Sequence, residues 1–339
     1  MKRLFTRHVR LFSLIVAIAL FALVPLFVKS PYYLDLLIVT IINAVLAMTF
    51  IMMLRTGLIS LGIAAFWGIG SYTSAMLVMH GHISFWLSLP LSTLVTAIFA
   101  FILGYALIRN AGFTFIILTT VIGMLFVVAV GNIQTLNGYN GISNIPPPDT
   151  INIPFLPALV FNSKVAFFYL VLFLFAIIIL VINAFYSAWT GRAWNAIGLN
   201  PRLAQSMGIN VFRYRLLSFV VASAIAGAIG SFYAHYQAFI IPTTYNLFPK
   251  AIYIMVYAIL GGVEYATLGP IVGSALMTFF PELVRMTQEV SIIMNGALLV
   301  LLIIFLPKGL LSLLRYRVNV VGWVKAILPS RPAKNGAAK

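Results

Sequence analysis

Stretches free of Asp, Glu, Lys and Arg recur along the chain, at 11–28, 36–54, 56–81, 83–108, 110–148, 165–191, 216–249, 251–263, 265–281 and 290–307. A helix needs about 20 apolar residues to cross the hydrocarbon core of a bilayer. Most of these stretches are that long, and short polar or basic turns separate them. The pattern predicts an all-α fold, a polytopic transmembrane helical bundle of 8–10 helices. The runs 251–263 and 265–281 are short and flank Glu264, so they predict tilted, broken or re-entrant segments. The run 11–28 follows Lys2, Arg3, Arg7 and Arg10. No A-x-A-like cleavage site follows it and further spans do, so it reads as a retained first helix. The organisation expected is a cytoplasmic arm over 1–10, a transmembrane domain over 11–306 and a basic cytoplasmic tail over 307–339.

Composition agrees with that pattern. The 339 residues are 63% hydrophobic and 8% charged, against roughly 25% charged in soluble domains. The five acids are Asp35, Asp149, Glu264, Glu282 and Glu289, and the formal net charge is +16. The basic residues lie between apolar runs rather than on one polar face. That distribution points to loops facing anionic membrane lipid and away from nucleic acid. With both termini in the cytoplasm, ten crossings put Arg55, Arg109, the 186–215 loop and the tail inside. Asp35, Asp149, Glu282 and Glu289 then fall outside, Glu264 at an inner turn, and the positive-inside rule is met at nearly every loop. There is no cysteine, which excludes disulfides, thiolate metal sites and cysteine nucleophiles. His8, His80, His82 and His235 have no metal-ligand partner at helical spacing.

Three segments carry more than a span. Gly57, Gly62, Gly68 and Gly70 interrupt an apolar run that also holds Ser60, Ser71, Tyr72, Thr73 and Ser74. Each glycine costs about 1 kcal/mol against alanine in a helix, so the cluster reads as close packing or as a broken helix lining a polar cavity. Residues 131–163 form a long outer loop rich in Asn, Gly and Pro, where turns are expected and Pro146–Pro148 impose extended backbone. Residues 186–215 form the largest inner loop, with four arginines and no acid. Trp194, Ile197, Leu203, Met207 and Ile209 predict short amphipathic helices broken by Gly198 and Pro201, able to lie on lipid or dock in a partner's groove. Ile229-Gly230-Ser231-Phe232 echoes Ile69-Gly70-Ser71-Tyr72, a weak sign of two related halves. Gly269 and Gly273 make a small-xxx-small spacing.

No Gly-Lys dipeptide occurs, so the chain has no Walker A loop. No acid falls in the middle of a clear span, where an ion-coupled carrier keeps an ionisable group; Glu264 lies near an inner end. No Ser/His/acid set suggests an enzyme. The residues describe a conduit that draws its energy from a partner.

Three segments resemble the permeases of branched-chain amino acid ABC importers, in particular the longer, LivM type. They are Gly57-Leu58-Ile59-Ser60-Leu61-Gly62 with Phe66 and Gly68 to Tyr72; Asn137-Gly138-Tyr139-Asn140-Gly141-Ile142 running into Ile145-Pro146-Pro147; and Gly191-Arg192-Ala193 through Met207-Gly208-Ile209-Asn210, continuing to Tyr233–Tyr236, Gly261-Gly262 and Gly269-Pro270. They follow one another in family order over roughly residues 35–310. The resemblance implies a type II ABC importer permease-like fold in the bacterial cytoplasmic membrane. It implies four kinds of contact: a second homologous permease in a heterodimer, two ATPase subunits, a periplasmic or lipid-anchored substrate-binding protein, and lipid. This chain would hold no cofactor, ATP and Mg²⁺ residing on the ATPases.

On that reading Gly57, Ser60, Gly62, Phe66, Trp67, Gly70, Ser71, Tyr72 and Thr73 are translocation-path candidates. Gly191, Arg192, Arg202, Ala204 and Gly208 are candidates for coupling to the ATPases. Asn137, Gly138, Asn140 and Gly141 are candidates for binding-protein docking. The family's coupling pattern E-A-A-x-x-x-G is matched here by Ala204 and Gly208, but Arg202 stands where the pattern has its acid, with Pro201 just before it, so the resemblance implies no specific ion pair there. Other cargoes of the same fold are urea, short amides and nucleosides, and an ion-coupled secondary carrier is the rival of a different class. A reporter fused after Lys339 is expected on the cytoplasmic face; activity on the outer face would overturn the orientation.

Overall fold

The computed structural model describes residues 21–27, 30–110, 112–150, 161, 163–284, 296 and 309–311. The arm 1–10, most of the first run, residues 151–160 of the outer loop, the last run 290–307 apart from residue 296 and nearly all of the tail lie outside the described residues, as does Glu289.

Ten helices matter here: α1 (Pro31–Leu54), α2 (Ile63–Met79), α3 (Phe85–Leu107), α4 (Phe113–Asn132), α5 (Lys164–Ser187), α6 (Trp189–Leu199), α7 (Pro201–Ser206), α8 (Val211–Gln237), α9 (Ile252–Gly261) and α10 (Leu268–Val284). By length and composition α1, α3, α4, α5 and α8 suffice to cross a membrane, and α2, α9 and part of α10 are shorter apolar helices. The fold is that of an all-α polytopic membrane protein, with eight apolar helices among the described residues; the predicted first and last runs fall largely outside them. Their ends follow local chemistry. Pro31 opens α1 behind Ser30, where its missing N–H costs nothing. The Ser163 hydroxyl accepts from the Ala166 amide to cap α5. Gly57 turns the chain after α1 with φ +74.

Among the described residues the one strand pairing is a two-residue ladder. β1 (Ile142–Ser143) pairs antiparallel with β2 (Phe239–Ile240), Ile142 opposite Ile240. It pins the outer loop to the chain leaving α8.

α1 is the hub. Within its membrane window 83% of residues are buried, against 28% in α3 and in α4. α8, α5, α9, α10 and α2 all touch it. The outward faces of α3 and α4 carry exposed Phe99, Phe101, Ile102, Leu125 and Val128, apolar surface suited to lipid or to another membrane subunit.

α2 and α8 pack backbone to backbone. A Cβ on Gly70 would collide with the Gly227 carbonyl, and one on Gly230 with the Trp67 carbonyl. The Ser71 hydroxyl donates to the Trp67 carbonyl at 3.0 Å and lies 2.9 Å from the Gly230 carbonyl. The two Ile-Gly-Ser-aromatic segments, at 69–72 and 229–232, therefore meet at this crossing. Van der Waals packing drives association where lipid is as apolar as the side chains. A second glycine contact closes the α9–α10 turn, Gly261 against Gly269 and Gly273 against the Tyr257 carbonyl.

Charged groups collect at two levels. Lys164 donates to Asp35 at 2.8 Å, Tyr236 donates to the same carboxylate, and Lys164 lies 4.5 Å from the centre of the Tyr236 ring. At the other end Arg55 donates to the Glu264 carbonyl at 2.9 Å and lies 4.8 Å from the Tyr186 ring centre. One prediction on the inner loop is corrected. Gly198 does not break a helix; it lies within α6, its Cα against the Arg55 carbonyl, and the break falls at Asn200.

Gly70→Val is expected to lower thermal stability in detergent by about 1–3 kcal/mol or to abolish assembly, because neither backbone can retreat. Gly123→Ala, whose new methyl would meet nothing closer than 3.9 Å, is expected to leave stability unchanged or raise it slightly. Equal melting temperatures for both variants would overturn this account of the crossing.

Candidate functional site

The chain does not run from α8 into a helix. α8 ends at Gln237, and Ala238 takes a left-handed conformation, φ 55. A 3₁₀ turn at Pro242–Tyr245 and a π-helical turn at Leu247–Ala251 then lead into α9. The ten residues of α9 span about 15 Å, half the hydrocarbon thickness. α9 ends beside Arg55 and Glu264, so it begins near the bilayer centre. Residues 238–251 are thus re-entrant: Ala238, Phe239 and Thr243 are exposed, while Ile240, Pro242, Tyr245 and Ala251 are buried in protein, as irregular backbone at membrane depth must be. The long apolar stretch predicted at 216–249 is a span plus a descending segment.

Lys250 closes the π turn. Its ammonium donates to Asn43 Oδ1 at 2.9 Å and lies 5.0 Å from the centre of the Trp67 ring. Asn43 is 3% exposed and stands at the middle of the 24-residue α1. Both approaches put Lys250 at the midplane. The expectation that no acid falls there is untouched, but the centre holds a cation that the apolar runs did not place. Around it Trp67 packs against Tyr233 at 4.6 Å and Tyr245 at 4.7 Å, and Tyr72 against Tyr245 at 5.9 Å between ring centres.

The path candidates fall into three groups. Gly70 and Ser71 serve the α2–α8 crossing, Gly62 abuts the Thr119 carbonyl of α4, and buried Phe66 packs edge-on to Phe219. Ser60, Trp67 and Tyr72 are buried with polar atoms that find no hydrogen-bond partner among the described residues. Gly57 is exposed and Thr73 half-buried. Trp67 and Tyr72 are thus the candidates that share the midplane cluster with Lys250.

The outer loop is tied down by buried polar groups. His235, 1% exposed, donates from Nδ1 to the Pro146 carbonyl at 2.7 Å and accepts at Nε2 from Ser74 at 3.0 Å; Ser231 donates to Ser74 at 2.7 Å. Asp149 accepts from the Phe85 amide at 3.0 Å, capping the start of α3. Of the docking candidates, Gly138 and Gly141 take positive φ, and Gly141 lies against the Ile240 carbonyl. Asn137 and Asn140 are exposed.

On the inner face Trp194 and Ile197 are buried, and the Trp194 indole donates to the Tyr214 carbonyl at 2.9 Å. They anchor α6 to α8. Asn200 caps α7 by accepting from the amides of Arg202 and Leu203 at 3.1 Å each. Gly191 packs on the Tyr186 backbone and Ala204 is buried, so both hold the segment in place. Arg192 and Arg202 are exposed. Leu199, Leu203 and Met207 stand out at 89%, 59% and 75% exposure. Gly208, φ +82 with open space about it, turns the chain into α8. Beside it opens a cleft of about 480 Å³ lined by Arg109, Gln205, Asn210, Phe212 and Arg215.

Lys250, Asn43 and the His235 network escaped sequence reasoning. A lone lysine between apolar runs reads as a loop, and an asparagine within a span leaves no pattern. The only available signal for Lys250 was the brevity of the run after it.

A family model described as branched-chain amino acid transport system / permease component matches residues 32–307. The high-affinity branched-chain amino acid transport system permease protein LivM of Escherichia coli (strain K12) is 30% identical over 344 residues, 96% of this chain and 77% of that protein. Its namesake from Salmonella typhimurium is 32% identical over 77% of this chain and 65% of that protein. The nucleoside ABC transporter permease protein NupC of Lactococcus lactis is 25% identical over 53% of this chain and 59% of that protein. No solved structure matches significantly. The family match begins within the first turn of α1 and extends past α10, taking in the glycine crossing, the re-entrant segment and the exposed inner helix, and the chain belongs to the branched-chain amino acid transport permeases.

Proposed function

We propose that this chain is one of two homologous permeases in an ABC importer of the bacterial cytoplasmic membrane, carrying branched-chain or closely related amino acids. Two ATPase subunits on the cytoplasmic side supply the energy, and a substrate-binding protein delivers cargo from outside. Both termini face the cytoplasm. The observation that carries the reading is the inner segment α6–α7. Its base is fixed by buried Trp194 and Ile197, while Leu199, Leu203 and Met207 project from a well-capped turn. Apolar side chains held out on a rigid mount suit a partner's groove. Arg192 and Arg202 flank them and suit acidic groups on that partner.

Transport then follows from the coupling of two openings. ATP binding closes the ATPase pair and displaces α7; Gly208 is the turn through which that movement reaches α8. Because α8 is locked to α2 through their glycines, the two helices move as one body. The outer loop, on its ladder and its His235 tether, is the platform for the binding protein, with Asn137 and Asn140 on its exposed side. The second reading is a nucleoside cargo, favoured by the NupC likeness; which ligand the cognate binding protein retains decides between them.

Leu203→Glu with Met207→Glu is expected to cut co-purification of the ATPase subunits and ATP-driven uptake at least about tenfold, since each change puts a charge in an apolar contact. Gly208→Val, strained by its positive φ, is expected to abolish uptake while cargo binding by the binding protein stays normal. Wild-type uptake in either variant would overturn the coupling assignment. Uptake that persists without ATP and collapses with an ion gradient would favour a secondary carrier.

A further inference from the structure

Lys250 is expensive where it stands. A cation at the bilayer centre is rare and, where found, tends to face a path or pair with an opposite charge. Here its partners are a neutral amide, Asn43 Oδ1 at 2.9 Å, and the face of the Trp67 ring. The described acids lie elsewhere: Asp35 with Lys164, Asp149 at the start of α3, Glu264 beside Arg55, Glu282 near the end of α10. Lys250 is half-buried, neither sealed in the core nor free in water.

The chemistry around it is short of acceptors. An ammonium has three donors and no acceptor, and an indole N–H only donates. Asn43 takes one ammonium proton. The Trp67 Nε1 proton, on a fully buried side chain, finds no acceptor among the described residues, and the buried Tyr72 hydroxyl is also without a partner there. Among the described residues the arrangement leaves donors without acceptors and a positive charge with no carboxylate beside it. A carboxylate is the complement: negative, acceptor-only, with about four lone-pair sites.

We propose that Lys250, seated on Asn43 and Trp67, binds the carboxylate of the transported α-amino acid at the midplane of the translocation path. The tyrosine and tryptophan faces beside it form the apolar wall for the rest of the cargo. This rests on the importer reading above and deepens it, because it makes a free carboxylate a requirement of passage and excludes urea, amides and nucleosides as cargo. The site is a waypoint rather than a trap: Asn43 already takes one of the three ammonium protons, so the cargo's carboxylate can both bind and leave.

The test uses the complete importer in proteoliposomes, built with cysteine-free partner subunits, with L-leucine uptake as readout. The chain lacks cysteine, so Lys250→Cys presents a single thiol. That variant is expected to lose about tenfold or more of the uptake rate, the scale of a charge-assisted hydrogen bond. Alkylation with 2-bromoethylamine rebuilds a lysine-length cation and is expected to restore uptake; iodoacetamide, which adds a neutral group, is not. The second variant, Asn43→Asp, gives Lys250 a carboxylate of its own. It is expected to assemble with full thermal stability and still lose about tenfold of uptake, because the internal ion pair competes with cargo. If Lys250→Cys fails to assemble, Asn43→Asp decides. Wild-type rates in either variant, or equal rescue by both reagents, overturn the assignment. A wild-type complex that takes up no amino acid overturns the importer reading instead.

Discussion

The contact between α2 and α8 is the constraint on which the rest depends. In hydrocarbon there is no hydrophobic force to press helices together, so close packing must do it. Here glycines let two backbones touch, and Ser71 adds a hydroxyl across the gap. Once that pair is fixed, Trp67 and Tyr233 face one another and the ledge on which the re-entrant segment rests is complete. Tyr245 comes down on that ledge, and Lys250 follows five residues later, over the Trp67 ring. A bulky residue in the crossing would therefore disturb the midplane cluster without touching it.

The segment after α8 shows how a membrane protein affords irregular backbone. The chain descends from the outer face as turns rather than helix, and each polar backbone group must then be met by protein. α1, almost entirely enclosed, and α2 supply the walls. The half-length helix α9 follows because only half the membrane remains to be crossed. Its glycine-tight return into α10 keeps Glu264 and Arg55 at the inner level.

Much of this was legible in the sequence because the bilayer imposes one dominant rule, length of apolar run, from which the helix positions follow. The turns of the outer loop came from its Asn, Gly and Pro content and the inner helices from their amphipathic spacing. The echo of 69–72 in 229–232 was legible as a repeat, yet not as a crossing, because periodicity says nothing about which helices meet. Gly198 misled for a related reason: glycine serves both to end a helix and to admit a neighbour's backbone, and only the Arg55 carbonyl shows which. Lys250 was hidden by the rule itself. A charge marks the end of a span wherever helices are continuous; where the backbone re-enters, the same charge marks the middle.

The tether of the outer loop has a direction. A carbonyl only accepts, so the proton on His235 Nδ1 is committed to Pro146, and Nε2 must receive from Ser74, which in turn receives from Ser231. Hydroxyl and ring protons all point outward, from the bundle to the loop. The last member of the row is a peptide oxygen, too weak a base to take a proton and pass it on. What looks like a relay, a buried imidazole in a file of hydroxyls, ends on a peptide oxygen, and its consequence is to orient the loop.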